Sequence, residues 1–139
     1  MTRFLLDTNV LGGHLQGRPG AVRLVQPWVI REEAVSSILV YGEVIEYLKG
    51  RSDFVRRQAD LRRMHKHIRP LGLTYSIMER YADLRRSLRP PYGPGLIGDV
   101  DTLIAATAME HGLTVVTSDG DFSRVMGLSV ILVPRASLT

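Results

Sequence analysis

Apolar positions follow two periods along the 139-residue chain. Short runs, Phe4-Leu5-Leu6, Glu33 to Ser37 with its closing hydroxyls, Leu113 to Thr117 and Val130 to Val133, have the length of buried strands, and the last two are also β-branched. Leu71 to Leu73 is a shorter, weaker run of the same kind. Between them, apolar residues recur at helical spacing. Val10, Leu11 and Leu15 mark a helix over 8–16, and Ala21, Val22, Leu24, Val25 and Trp28 mark one that opens at Pro19. Ile38, Tyr41, Val44, Ile45 and Leu48 mark a third, stopped at Gly50. Ser52-Asp53 is expected to cap a fourth, with Phe54, Val55, Leu61, Met64 and Ile68 on its apolar stripe. Ser76 with Glu79 reads as a capping box for a fifth helix ending at Leu88. After a Pro/Gly loop over 89–98, an alanine-rich helix spans 99–111 and ends at Gly112. Strands alternating with helices predict a three-layer α/β/α chain around a central, mostly parallel sheet of four or five strands, with right-handed crossovers.

The length fits one domain over residues 1–139 with a single core. No apolar run approaches the ~18 residues of a membrane span, and the chain opens directly into structure, so a cytoplasmic protein with no membrane partner is expected. The absence of cysteine excludes disulfides and thiolate metal sites.

Charge changes the picture more than composition does. Eight bases against two acids fall between Lys49 and Arg69, a net of +6, while the rest of the chain carries a net of −2. A basic flank beside an acidic remainder suggests an anionic partner, with nucleic acid the first candidate; a solvated helix face is the plainer reading. Arg56, Arg57, Arg62 and Arg63, joined by Arg85 and Arg86 of the next helix, are the candidate RNA contacts.

The acids carry the candidate chemistry. Asp7 ends the first strand. Glu43 sits on the helix after the second, on the same stripe as Val40 and Val44. Asp101 lies in the first turn of the alanine-rich helix, and Asp119 and Asp121 follow the strand at Leu113–Thr117. Each alone is an ordinary cap or turn residue, except Glu43, whose apolar stripe leaves it needing a partner. Together they stand where strands end or helices start, the edge at which open α/β sheets bind ligands. Clustered carboxylates repel, and no Lys or Arg stands at a matching strand end. A hard divalent cation, Mg²⁺ with Mn²⁺ as a substitute, neutralises such an all-oxygen set.

At these residues the sequence resembles the PIN-domain ribonucleases, and among them the VapC-like toxins of type II toxin–antitoxin pairs. LLDTNV (5–10) resembles the family's opening acidic motif at Asp7, and SILVYGEV (37–44) has its hydroxyl-to-Glu spacing at Glu43. IGDVDTLIAATAMEHGLTVVTSDGDF (97–122) is the most specific stretch, marking Asp101 and Asp119. The resemblance implies a PIN-like, Rossmann-like fold and a Mg²⁺-dependent endoribonuclease with Asp7, Glu43, Asp101 and Asp119 around the metal. It implies hydrolysis by metal-activated water, leaving a 5′-phosphate and a 3′-hydroxyl. It also implies a homodimer and a small antitoxin partner that blocks the site. Asp99 is an alternative to Asp101, and Asp121 to Asp119. Thr8, Asn9, Thr117 and Ser118 are expected to orient the carboxylates. The apolar side of Tyr75–Leu88 and the segment around Trp28 are candidate dimer surfaces.

Two rival readings remain. One is a non-catalytic RNA- or protein-binding module on the same fold. The other is an Asp-based phosphotransfer protein, suggested by Asp99-Val100-Asp101-Thr102. That string follows a loop and opens a helix, where a phosphotransfer aspartate follows a strand. The chain's two lysines, Lys49 and Lys66, fall in helical segments.

Overall fold

A computed structural model describes residues 1–139. Five short strands, β1 (Phe4–Leu6), β2 (Ala34–Ser37), β3 (Arg69–Leu71), β4 (Thr114–Thr117) and β5 (Val130–Leu132), form one sheet in the order β3-β2-β1-β4-β5. Every pairing is parallel. Parallel neighbours need crossovers, and the helices supply them: α1 (Thr8–Leu15), α2 (Pro19–Ile30), α3 (Ile38–Lys49), α4 (Phe54–Met64), α5 (Tyr75–Leu88) and α6 (Asp99–His111). The architecture is the three-layer α/β/α arrangement that the sequence predicts, with five strands.

The central strands are buried on both faces, as parallel strands covered by helices must be. Leu5, Leu6, Val35, Val115 and Val116 lie in one apolar cluster with Val10, Leu11, Ile77 and Ile104. Burying each such side chain contributes roughly 1.5–3 kcal/mol. Trp28 stacks on Phe4 with ring centroids 4.1 Å apart, so this candidate dimer residue is occupied inside its own chain. Helix α6 is rich in alanine because Ala105, Ala106 and Ala108 are all fully buried and small side chains let helix and sheet approach closely. α5 packs along it, burying Ile77, Leu84 and Leu88.

Local corrections concern ends and edges. The cap of α5 is Thr74, whose hydroxyl accepts the Ile77 N–H at 3.2 Å, two residues earlier than the Ser76–Glu79 box implies. Asp53 stands at the N-cap of α4 without a capping bond, because arginines hold its carboxylate. The third strand covers Arg69–Leu71 rather than 71–73. Pro70 lies within it, which an edge strand tolerates because it leaves one side of the ladder unused. Ile68 reaches the core from beyond the end of α4. Two short 3₁₀ turns, Gly120–Arg124 and Arg135–Leu138, carry no periodic signal in the sequence.

The strand order sets the position of everything that follows. From β1 the chain steps outward to β2 and β3, then returns to the other side of β1 as β4. Adjacent connections therefore diverge between β1 and β4, and a crevice opens at their carboxyl ends.

Candidate metal centre

β1 and β4 run in register with Leu6 opposite Val116, and the Asp7 N–H donates to Val116 O at 2.9 Å. The next side chains on each strand, Asp7 and Thr117, therefore meet at the crevice. Thr117 Oγ1 donates to Asp7 Oδ2 at 2.7 Å. The same hydroxyl oxygen accepts the Asp119 N–H at 3.0 Å, so one threonine positions two of the acids. Asp119 Oδ1 in turn accepts the Asp121 N–H at 2.9 Å, closing the tight turn after β4.

Asp7 is 6% exposed and makes no capping bond to α1, although it stands at that helix's N-cap. Its burial is thus not explained as a cap. Burial raises its pKa above the usual carboxylate range, against the lowering effect of the Thr117 hydrogen bond; Glu43 and Asp119 push it up further. Glu43, in the second turn of α3, is half-buried and accepts the Thr8 hydroxyl at 2.6 Å. The helix that carries it is fixed by Ser37, which caps α3 by accepting the Leu39 N–H at 3.1 Å. Ser36 Oγ ties β2 to β1 by donating to Leu6 O at 2.8 Å.

Asp101 lies in the first turn of α6, which starts after Gly98. Its carboxyl is pushed up to about 7, first by burial and then by Asp7, Asp119, Glu43 and Asp121. Asp101, Asp119 and Asp121 offer carboxylate oxygens that all lie within 4.8 Å of one another. Two charges at that distance repel by about 3.5 kcal/mol at an effective dielectric of ~20, and by less where water reaches them. The only cation in contact is Arg124, 3.4 Å from Asp121; Asp7, Glu43, Asp101 and Asp119 make no salt bridge. Oxygen donors alone, crowded and uncompensated, suit a hard divalent ion.

Of the four acids expected from the sequence, Asp101 and Asp119 lie together with Asp121; Asp7 is joined to Asp119 through Thr117, and Asp7 and Glu43 act on Asp101 electrostatically without belonging to that close group. Asp99 is turned elsewhere: it receives Arg85 at 2.7 Å and is 70% exposed. Of the four expected orienting residues, Thr8 and Thr117 bond carboxylates. Asn9 is exposed without a side-chain bond, and the Ser118 hydroxyl is buried with no partner. Ser36 and Ser37 are legible as hydroxyls ending a strand; the Ser37 cap is local, whereas the Ser36 tie depends on how β2 lies beside β1. Most of the candidate RNA-binding arginines are engaged: Arg56 and Arg57 on Asp53, Arg63 on Asp60, Arg85 on Asp99. Arg62 and Arg86 make no salt bridge.

An acid cage at the switch point of a five-stranded parallel sheet defines a recognisable class. The chain matches the PIN domain model over residues 4–128 and belongs to the PIN domain family. Its fold is also that of solved structures. A chain of VapBC2 from Rickettsia felis, bound to a DNA fragment from its promoter, superposes with a TM-score of 0.82 at 18% identity, over 95% of this chain and 99% of that one. DNA-bound VapBC from Salmonella typhimurium gives 0.81 at 22% identity, over 94% and 98%. A toxin–antitoxin complex from Klebsiella pneumoniae gives 0.70 at 24% identity, over 94% and 96%. No curated protein matches the chain by sequence.

Proposed function

We propose that this protein is a Mg²⁺-dependent endoribonuclease and the toxin of a toxin–antitoxin pair, acting as one domain in the cytoplasm. The observation that carries the reading is the close group of Asp101, Asp119 and Asp121, with the buried Asp7 tied to it through Thr117 and no salt bridge to Asp7, Glu43, Asp101 or Asp119. A rim that served only to bind RNA would gain nothing from unbalanced negative charge. The phosphotransfer alternative loses support because Asp101 stands in the first turn of α6 rather than after a strand.

Asp7 and Asp101 would hold the principal ion, with Glu43 and Asp119 completing the site and Asp121 within reach of it. When bound, the ion supplies Lewis acidity to the scissile phosphate and lowers the pKa of water. The chain's own residues do the rest. Thr117 and Thr8 fix Asp7 and Glu43, so the carboxylates are arranged before substrate arrives. A carboxylate of the set takes the proton of the attacking water as its oxygen bonds phosphorus; the bond to the ribose 3′ oxygen breaks, and that oxygen leaves with the electron pair and takes a proton from solvent. The products carry a 5′-phosphate and a 3′-hydroxyl. Arg62 and Arg86 are free to meet the RNA backbone, whereas Arg56, Arg57, Arg63 and Arg85 would have to exchange a carboxylate for a phosphate.

A protein antitoxin as partner is supported by the VapBC and toxin–antitoxin assemblies in which the similar folds were solved. A homodimer is part of the same proposal, with the exposed Tyr75 and Met78 of α5 as candidate contacts. The test is purified protein on end-labelled single-stranded and structured RNA, with Mg²⁺ or with chelator. Cutting that needs Mg²⁺ or Mn²⁺ and leaves a 5′-phosphate is the expected result. No cutting in any divalent metal would support the binding-module alternative.

A further inference from the structure

The loop between α5 and α6 is held at both ends. The Tyr92 and Gly93 N–H groups both donate to Arg89 O, at 3.0 and 3.2 Å, and Gly95 N–H donates to Leu88 O at 2.8 Å. Gly93 lies so close to α5 that a Cβ there would overlap the Ser87 carbonyl oxygen. At the other end, Arg124 Nη1 donates to Leu96 O at 3.2 Å while its Nη2 reaches Asp121, and Arg85 holds Asp99. The loop is a fixed turn laid on the end of α5 and tied to the acid rim.

On that turn stands Tyr92, 83% exposed. A single exposed ring is ordinary; its surroundings are less so. Tyr92 walls a cleft of about 390 Å³ together with Asp83, Arg86, Ser87 and Arg89, and neither Arg86 nor Arg89 makes a salt bridge. Single-stranded nucleic acid is bound by this combination, with rings that stack on bases and cations that meet phosphates. Asp83 lowers the cleft's net charge to +1, which suits a bare phosphate poorly and a whole nucleotide, with base amino groups to offer, better.

We infer that this cleft is a nucleotide subsite for single-stranded RNA, with Tyr92 stacking on an unpaired base and Arg86 and Arg89 taking adjoining phosphates. The inference rests on the nuclease reading for its choice of RNA and deepens it by placing the substrate strand. Tyr92 and Asp101 lie nine positions apart in the sequence, so their Cα atoms are at most about 32 Å apart. A strand gripped here has its scissile phosphate a few nucleotides away, and the enzyme prefers unpaired RNA.

The test is fluorescence anisotropy of the full chain in EDTA with a fluorescein-labelled eight-nucleotide single-stranded RNA and its duplex. Tyr92→Ala is expected to weaken single-strand binding about tenfold, with Tyr92→Trp restoring it and duplex binding unmoved. Arg86→Gln and Arg89→Gln should each flatten the logarithmic salt dependence by about 0.7. Single-strand affinity unchanged in Tyr92→Ala, an equal loss on duplex, or no binding by wild type overturns the subsite. So does a Tyr92→Ala protein that loses a protein partner while keeping RNA. The two readings fail separately. Tyr92-dependent binding without any cleavage removes the nuclease and leaves the subsite. Metal-dependent cleavage at unchanged positions and rate in Tyr92→Ala removes the subsite and leaves the nuclease.

Discussion

Two charged regions of this molecule behave in opposite ways. In and around α4, basic residues outnumber acids heavily, and half of them pair with the two acids at hand, leaving the stretch net positive. Asp53 alone is contacted by Arg51, Arg56 and Arg57, at 2.8, 3.5 and 3.2 Å, and Arg63 pairs with Asp60 at 3.0 Å. The Arg51 guanidinium beside Asp53 holds that carboxyl well below the usual range. At the carboxyl edge of the sheet the acids come from distant parts of the chain. There Asp7 and Asp101 sit above the usual carboxylate range, because burial and like charge act on them together. Exposed pairs three or four residues apart contribute little. Convergence of like charge is costly, and a fold keeps it where a ligand repays the cost. The smaller charge excess therefore marks the candidate site, whereas the larger one is a partly paired surface that stays net positive.

The largest expected effect comes from removing an acid of the cage. Asp7→Asn or Asp101→Asn should lower RNA cleavage at least 100-fold, beyond the roughly 10–100-fold that outer-shell partners of a metal cost, while circular dichroism shows the fold intact. If these variants unfold instead, the acids are structural and the contrast between the two regions collapses. Thr117→Val should cost about 10–100-fold in cleavage, since the hydroxyl that positions both Asp7 and Asp119 is lost. Equal activity in that variant would show that the bond at 2.7 Å does not position the site.

Stability should depend on pH in a direction set by Asp101. Its carboxyl titrates near 7 when folded and near 4 when unfolded, so the metal-free native state binds the extra proton between those values. Native stability then falls as pH rises from about 4 to 7. Asp101→Asn should flatten that slope and stabilise the metal-free protein at pH 8, on the order of 1 kcal/mol after solvent screening. Added Mg²⁺ should raise the wild-type Tm more at pH 8 than at pH 5; the reverse ordering would contradict the cage. The smallest effect is expected at the other region. Asp53→Ala should leave the Tm almost unchanged, and the freed arginines should steepen the salt dependence of RNA binding. A large loss of stability would show that the pairs in α4 do more than neutralise one another.

Much of this was legible before any coordinates, and the reasons are local. Each of the four acids stands at the end of a strand or on a helix whose period is plain, so its placement needed only element boundaries. Relations that depend on register or rotamer were not legible. That Thr117 bonds Asp7 follows from Leu6 facing Val116, a pairing between residues 110 apart. Asp99 and Asp101 are separated by about 200° around a helix, so only one can face the crevice, and Arg85 of α5 claims Asp99. The pairing within the basic stretch was equally hidden, because residue counts do not show which side chains meet. The third strand was misplaced because Pro70 reads as a break until its edge position is known.

The central claim is that the acids at the ends of β1 and β4 and the start of α6 form a cage for a divalent ion. An anomalous difference map from crystals grown with Mn²⁺ tests it directly. The expected result is a peak coordinated by Asp7 and Asp101 with Asp119 or Asp121, absent in Asp101→Asn. A fully occupied Mn²⁺ bound away from these carboxylates, or an empty cage at saturating metal, would contradict it.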